Sequence, residues 1–566
     1  MSRLWSLLLV LAALCHFAIA VEPVYKITGV VVSSVDETPV AHAHLNATLS
    51  SRGRPGESQL PSSGASGDTD EHGRFALTLP SSGAWHLQAS ANGFVTRAYD
   101  EHDNYSSSVV LTHAAPTIDL HFRLPPESMI TGAVLDEAGE AVREARVTLQ
   151  RRSSASLDEQ EKLFQNRMTV QTDDRGIYEF ANLAAGDYRV MVDAKPWYSL
   201  TSQPRGGAAT SNTAPQDPSL DVTYQLTWFP GVNDPAEAEI IPLGVAQSHQ
   251  ADFHLVPIPA VHLQFSAPTA QEPGGRPMSV FPMLERIDTG GSGPNIAQSM
   301  ITNTGPQGQV DIGGLAPGLY RIRSQGRNTS SQKNVIQIGS GTTGVVDAGA
   351  TSASMASISI DIDKEDEEGR RAFGVELRNM ETGVRFSSFD GNMFMAPGFR
   401  RGTADRESQP ISLQVPPGRY EIDLVGRGGA YLTGTSAKGA EVKGRFLTVR
   451  AGNVTLTLHT AKGYASMTGI ATAEGKSVAG AIVLLVPAGL DDPGAFTALV
   501  KDQSNTDGSF DLNNIVPGPY ILIAVNHGWE INWNDASTLQ RYLTQGVPLD
   551  LRTNANLKQN VEAQTP

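Results

Sequence analysis

The sequence predicts an all-β protein built as a tandem array of small antiparallel β-sandwich modules. Three observations carry that prediction. A phrase ending in glycine, one further residue and an aromatic recurs five times, as "LPSSGAW" (Leu79–Trp85), "LAAGDY" (Leu183–Tyr188), "LAPGLY" (Leu315–Tyr320), "VPPGRY" (Val415–Tyr420) and "IVPGPY" (Ile515–Tyr520). Around these phrases, apolar residues alternate with polar ones in short runs, the period of a half-buried strand. Glycine and proline, at 55 and 34 of 566 residues, supply the turns that many short strands need.

In chain order, residues 1–20 read as a signal peptide: Arg3, an apolar run, then the small-residue ending Ala18-Ile19-Ala20. The expected product is secreted, either periplasmic or at the cell exterior, with no membrane span after cleavage. No later apolar run reaches the roughly 20 residues a helix needs to cross a bilayer. Cys15, the only cysteine, leaves with the leader, so packing rather than disulfides must hold the mature chain. The first module signature is a strand with Thr-Gly: Thr28-Gly29, Thr131-Gly132 and Thr468-Gly469. A turn and an alternating strand follow from Pro39, Ala141 and Ser477. The third signature is a polar turn closed by glycine, in "TDEHGRFAL" (Thr69–Leu77), "TDDRGIYEF" (Thr172–Phe180), "TGPQGQVDI" (Thr304–Ile312) and "SNTDGSFDL" (Ser504–Leu512).

From that glycine to the glycine of the recurrent phrase the interval is constant: Gly73 to Gly83, Gly176 to Gly186, Gly308 to Gly318, Gly508 to Gly518. Such spacing implies a hairpin of set register: a strand, a tight connection and a second strand. The aromatic that opens the second strand can bury its ring while a tyrosine hydroxyl reaches a backbone group. Five sandwiches are expected, at 21–125, 126–257 (with the polar insertion "SLTSQPRGGAATSNTAPQDPSL"), 258–352, 353–460 and 461–566. The third and fourth lack a clear Thr-Gly opening. Two helices are expected, "SLDEQEKLFQNRM" from Ser156 and "ASTLQRYLTQG" from Ala536.

A net charge of −16 argues against nucleic-acid or anionic-membrane partners, which need basic surfaces. No Gly-x-Ser-x-Gly elbow, P-loop or dinucleotide fingerprint occurs, so no cofactor is expected. His527-x-x-Glu530 matches half of a zinc motif, but no histidine follows to complete it. Asp68-x-Asp70-x-His72-Gly73 begins like a calcium loop, yet Leu79 stands where the closing carboxylate belongs. No metal site and no catalytic residue is assigned.

The strand "ITGAV", the turn "GEAVREARVTL" and the hairpin "TDDRGIYEFANLAAGDYRVMV" resemble the carboxypeptidase regulatory-like domain, a small transthyretin-like sandwich. That group is similar to collagen-adhesin B-type repeats and to starch-binding-like sandwiches. The segments "YQLTWFPGVNDPAEAEIIPL" (Tyr224–Leu243) and "FDLNNIVPGPYILIAVNHGWEINWND" (Phe510–Asp535) resemble secreted multi-repeat proteins of soil bacteria, acidobacteria especially. The resemblance implies a bacterial, exported, non-catalytic module.

Carbohydrate binding has the best residue support. Sugars present flat C–H faces to aromatic rings and hydroxyls to amides and carboxylates. "NHGWEINWND" (Asn526–Asp535) gathers Trp529, Trp533, Asn532, Asn534 and Asp535 in an expected loop beyond a strand, and Trp228 occupies a comparable connection. The expected partners are polysaccharide or peptidoglycan. The alternatives are a scaffold or spacer contacting other envelope proteins through exposed strand edges, and an uncharacterised hydrolase. The oligomeric state is left open by the sequence.

Overall fold

The computed structural model describes residues 23–50, 64–102, 105–152, 164–199, 217–266, 270–271, 277–278, 282–287, 301–304, 309–324, 334–347, 355–362, 373–381, 383–388, 411–426, 429–489, 499–533 and 535–566. The leader expected at residues 1–20 lies outside them. The described chain is all-β save for short helical turns and one α-helix, Ala536–Leu543. It divides into two compact units, residues 1–126 with 503–508, and residues 127–502 with 509–566.

The first unit is a sandwich of two sheets. One has the order Arg74–Leu79, Tyr25–Ser33, Thr117–Leu124. The other runs Gly64–Asp68, His44–Leu49, Gly83–Ser90, Arg97–Ala98, with Val109–Leu111 also pairing with Gly83–Ser90. Strict alternation along Arg74–Leu79 buries Phe75, Leu77 and Leu79 and leaves the residues between them exposed. They meet Leu45, Ala47, Trp85, Leu87 and Ala89 of the other sheet in one apolar core. Residues 503–508 belong to this unit through hydrogen bonds. Ser108 N–H donates to Asn505 Oδ1 (2.9 Å), Val110 N–H to Thr506 Oγ1 (2.8 Å), and Ser107 Oγ to the Ser504 carbonyl (2.8 Å).

In the second unit the sheets fall into four consecutive groups. Ser128–Leu135 and Ile177–Leu183 face Arg146–Arg152, Phe164–Gln171 and Gly186–Asp193. Val261–Ser266 and Gln309–Leu315 face Pro282–Arg286, Gly318–Ser324 and Asn334–Ile338. Ala356–Ile362, Ile411–Val415, Ala430–Lys438 and Asn453–Lys462 face Phe373–Asn379, Arg385–Ser387, Gly418–Gly426, Glu441–Lys443 and Phe446–Val449. Ile287, Leu319 and Val335 join the buried cluster of Ile358, Val375 and Leu456, so the second and third of these groups share apolar surface. In the last group Val561–Gln564 pairs parallel with both Ala465–Ala473 and Gly518–Val525, which joins the layers into one nine-stranded sheet.

One feature repeats in every group: the first strand lies parallel to the last. Tyr25–Ser33 pairs with Thr117–Leu124, Ser128–Leu135 with Ser248–Gln250 and Phe253–His254, and Val261–Ser266 with Gly344–Asp347. Ala356–Ile362 pairs with Asn453–Lys462, and Ala465–Ala473 with Asn556–Lys558 and Val561–Gln564. The Thr-Gly signature belongs to this pairing. A Cβ added at Gly29, Gly132 or Gly469 would lie 2.1, 2.0 or 1.8 Å from the carbonyl oxygen of Leu120, Ala251 or Gln559. Only hydrogen fits there. Where the last strand breaks opposite the glycine, a side chain replaces the missing backbone acceptor: Asp252 Oδ1 takes the Ala133 N–H (2.8 Å) and Asn560 Oδ1 the Ile470 N–H (3.1 Å).

The hairpin expected from the spacing requires correction: the strands before and after the recurrent phrase lie in opposite sheets. Arg74–Leu79 pairs with Tyr25–Ser33 and Gly83–Ser90 with His44–Leu49, and likewise Ile177–Leu183 pairs with Ser128–Leu135 and Gly186–Asp193 with Arg146–Arg152. The tight connection therefore crosses the sandwich, while the turns and aromatics themselves form locally. Asp70 Oδ1 accepts from the N–H groups of His72 and Arg74 (2.9 and 2.8 Å), and Asp173 Oδ1 from those of Arg175 and Ile177 (2.9 and 2.8 Å). These bonds hold both carboxyls below the usual carboxylate range. The glycines that close the turns, Gly73 and Gly176, have φ of 70° and 74°, the left-handed region that a side chain strains. At the recurrent phrase, Tyr188, Tyr320, Tyr420 and Tyr520 each donate a hydroxyl to the carbonyl four residues back. The acceptors are Ala184, Ala316, Pro416 and Val516, at 2.6, 2.7, 2.6 and 2.7 Å.

One expected helix requires correction. The second half of "SLDEQEKLFQNRM" is strand Phe164–Gln171, antiparallel to Arg146–Arg152; residues 156–163 lie outside the described residues. Its local composition suits a helix, but a free sheet edge with a matching ladder outweighs local propensity.

Candidate functional site: the aromatic surfaces

The segment beginning at Asn526 is a packed cap, which corrects the expectation of a loop beyond a strand. It leaves Gly518–Val525 with His527 in the left-handed region (φ 51°), turns once through the short helix Gly528–Glu530 and enters helix Ala536–Leu543. The sheet strand Ile482–Pro487 explains why: all six of its residues are buried, so both of its faces need cover. Ile482, Leu484, Val486, Ile523 and Val525 form a second apolar cluster on the outer face, and Leu539, Tyr542, Trp529, Ile531, Trp533 and Leu543 pack against it. A Cβ at Gly528 would sit 2.8 Å from Ile482 and one at Gly546 2.4 Å from Ile521, so two glycines let the cap lie close to the sheet.

Within the cap the candidate residues have structural partners. Trp529 Nε1 donates to the Gly480 carbonyl (3.0 Å) and Trp533 Nε1 to the Gly528 carbonyl (2.8 Å). Trp533 meets Tyr542 edge-on, with ring centroids 5.1 Å apart. Both tryptophans are half-buried. Asp535 is the N-cap of the helix, its carboxylate accepting from Ser537 N–H (3.1 Å) and from the hydroxyls of Ser537 and Thr538 (2.7 and 2.6 Å). The Thr538 and Ser537 bonds draw its pKa down to about 2. Asn532 is exposed, and Asn534 lies outside the described residues.

Trp228 requires a further correction. It stands in the two-residue strand Thr227–Trp228, 2% exposed, packed with Met191 and Leu226, with the Arg189 guanidinium 4.5 Å from its ring centre. Its apolar bulk is used inside the fold, and no ring face is open to a sugar.

Trp197, which sequence reasoning passed over, is 72% exposed. Of the described tryptophans, Trp85 and Trp228 are buried and Trp529 and Trp533 half-buried. The signal that could have found it is local: "KPWYS" (Lys195–Ser199) places two aromatics directly after a proline where strand Gly186–Asp193 has ended.

Among the described residues no group of three His, Cys, Asp or Glu side chains is arranged to hold a metal ion. The Asp68–Gly73 segment is a turn between strands of opposite sheets, Gly64–Asp68 and Arg74–Leu79, with Asp68 Oδ1 2.7 Å from His44 Nδ1 and Asp70 closing the turn. His527 is the N-cap and Glu530 the last residue of the one-turn helix of the cap, both exposed. No described helix is long and apolar enough to cross a membrane.

Compared with known families, residues 129–225 match the carboxypeptidase regulatory-like domain. The match runs from the Thr-Gly strand to Tyr224 and includes the tyrosine at Tyr188. No curated protein matches the chain. Among solved structures, a minor pilin of Streptococcus agalactiae is 10% identical, covering 42% of this chain and 97% of its own, at a TM-score of 0.21. The Bacillus anthracis TIE protein is 11% identical over 93% of this chain and 69% of its own, at 0.14. The shaft pilin SpaA of Lactobacillus rhamnosus GG is 10% identical over 42% and 98%, at 0.19. No enzymatic family is indicated.

Proposed function

We propose that the chain is a non-enzymatic, exported, multi-module binding protein whose sandwiches engage carbohydrate or other cell-envelope material. The observation that carries this reading is the repetition itself. The same turn carboxylates and tyrosine hydroxyls recur from module to module, and each is committed to closing its own module. Repeated scaffolds of this kind vary at the surface between the recurrent elements, and weak contacts on several modules combine through effective concentration. The leader-like residues 1–20 support export, and the carboxypeptidase regulatory-like match supports a non-catalytic module.

The test is retention of the full-length protein on starch granules, cellulose, chitin and peptidoglycan sacculi against a buffer-washed resin. Specific retention on one of these, competed by its soluble fragments, is the expected result. A second reading, a spacer that contacts envelope proteins, rests on the exposed edge strand Gly64–Asp68, whose outward positions stay in solvent. It predicts no retention on any glycan and a defined protein partner after crosslinking in cells.

A further inference from the structure

The turn Pro196–Ser199 places an aromatic where folding gives no reason for it. Ser199 N–H donates to the Pro196 carbonyl (3.1 Å), and both end residues are buried, so the turn is anchored at its two feet. Trp197 and Tyr198 occupy its tip, perpendicular to each other with centroids 5.7 Å apart. Tyr198 is fixed from below: its hydroxyl donates to Glu137 Oε1, while the buried Tyr224 donates to Glu137 Oε2 (3.2 Å). Loss of hydration and the Glu137 carboxylate together push the Tyr198 hydroxyl up to about 12, so it stays a proton donor throughout the physiological range. The arrangement leaves a large ring in water next in the chain to Tyr198, whose hydroxyl, with that of Tyr224, holds the Glu137 carboxylate.

We propose that Trp197 is a stacking platform for one pyranose face of a glycan, with Glu137 accepting a hydroxyl from the same sugar. The assignment rests on the glycan-binding reading above and gives that reading its site. Each carboxylate oxygen has two acceptor directions, and the tyrosines use one on each, so Glu137 keeps capacity for a ligand hydroxyl. Tyr198 braces the turn that presents Trp197, and little ordering of the protein is left to be done on binding. A quaternary ammonium would be recognised by a cage of several ring faces. Here the two rings stand at 89°, and Trp197 is open, which suits the flat face of a sugar in an extended chain.

The experiment uses the full-length protein and its Trp197→Ala, Trp197→Phe and Glu137→Gln variants. They are assayed by retention on starch granules, cellulose, chitin and peptidoglycan sacculi, with tetramethylammonium as a competitor. Hydrogen exchange of strand Gly186–Asp193 reports the fold. The expected result is retention of the parent protein, roughly tenfold weaker binding for Trp197→Ala at unchanged exchange, and a smaller loss for Trp197→Phe and Glu137→Gln. Equal retention of parent and Trp197→Ala overturns this site and leaves the glycan reading standing. No retention of the parent on any glycan overturns both. Binding abolished by tetramethylammonium overturns the sugar assignment. If Trp197→Ala disturbs the exchange of Gly186–Asp193, Trp197→Phe decides: an unchanged fold and unchanged retention overturn the site.

Discussion

Removing the hydroxyl of Tyr520 tests whether the recurrent aromatic phrase is a structural device. Its ring is 1% exposed in the core of the last strand group, and the hydroxyl reaches the Val516 carbonyl at 2.7 Å. Burial raises the phenol to about 12, consistent with a donor that never ionises in use. Tyr520→Phe keeps the ring and deletes one hydrogen bond, a loss of about 1 kcal/mol. Tyr320→Phe should lose more, about 1–3 kcal/mol, because its acceptor Ala316 is also buried and the orphaned carbonyl gains no water. A whole-chain melting temperature is not well defined for several modules, so the assay is native-state hydrogen exchange read by mass spectrometry. Peptides from Gly518–Val525 and Ile482–Pro487 should exchange about fivefold faster in Tyr520→Phe, while those from Gly186–Asp193 stay unchanged. Unaltered exchange near the substitution would refute the hydrogen-bond account. Equal acceleration in both regions would refute the view that each group closes its own core.

Other perturbations follow from the same structure. Gly132→Ala and Gly469→Ala should cost more than about 3 kcal/mol, since each Cβ collides with a backbone carbonyl. Gly139→Ala, with φ of 79° and open space around it, should cost about 1 kcal/mol; soluble yield and exchange distinguish them. Asp423 is raised to about 6, first by burial and then by Glu421. Both folded and unfolded forms are protonated below about pH 4; between there and pH 6 only the unfolded chain releases its proton, so local stability should fall by about 2–3 kcal/mol and then level off. Asp423→Asn should flatten that part of the profile in exchange measurements on Gly418–Gly426, and an unchanged profile would exclude Asp423 as its source. Trp529→Ala with Trp533→Ala should lower local stability by about 3 kcal/mol and expose the Ile482–Val525 face to a hydrophobic dye, whatever happens to ligand retention.

Much of the fold was legible because its devices are local. The interval from Gly176 to Gly186 contains one strand and one connection, and the hydroxyl of Tyr188 reaches only four residues back. Thr-Gly was visible as a signature, but its cause was not, because the oxygen facing Gly132 belongs to Ala251, 119 residues along the chain. In the fourth sandwich expected from the sequence, Ala356–Ile362 pairs parallel with Asn453–Lys462 without a glycine. At Phe164 the sheet edge decided between helix and strand, and a sequence window contains no such edge. The packing of the candidate residues was hidden on the same ground. Trp529, Trp533 and Trp228 look free in sequence, yet the first two cover an apolar sheet face and the last fills a core. Trp197 escaped notice since exposure is a property of the folded surface.

The parallel pairing of first and last strands bears on how a module meets tension. Pulling its two termini apart would slide those strands past each other, so the hydrogen bonds between them resist together instead of parting one by one. Lys26–Ser33 against Thr117–Leu124 offers an uninterrupted ladder to such a load. The broken ladders opposite Gly132 and Gly469, and the short one of Val261–Gln264 against Gly344–Asp347, offer shorter grips and would slip sooner.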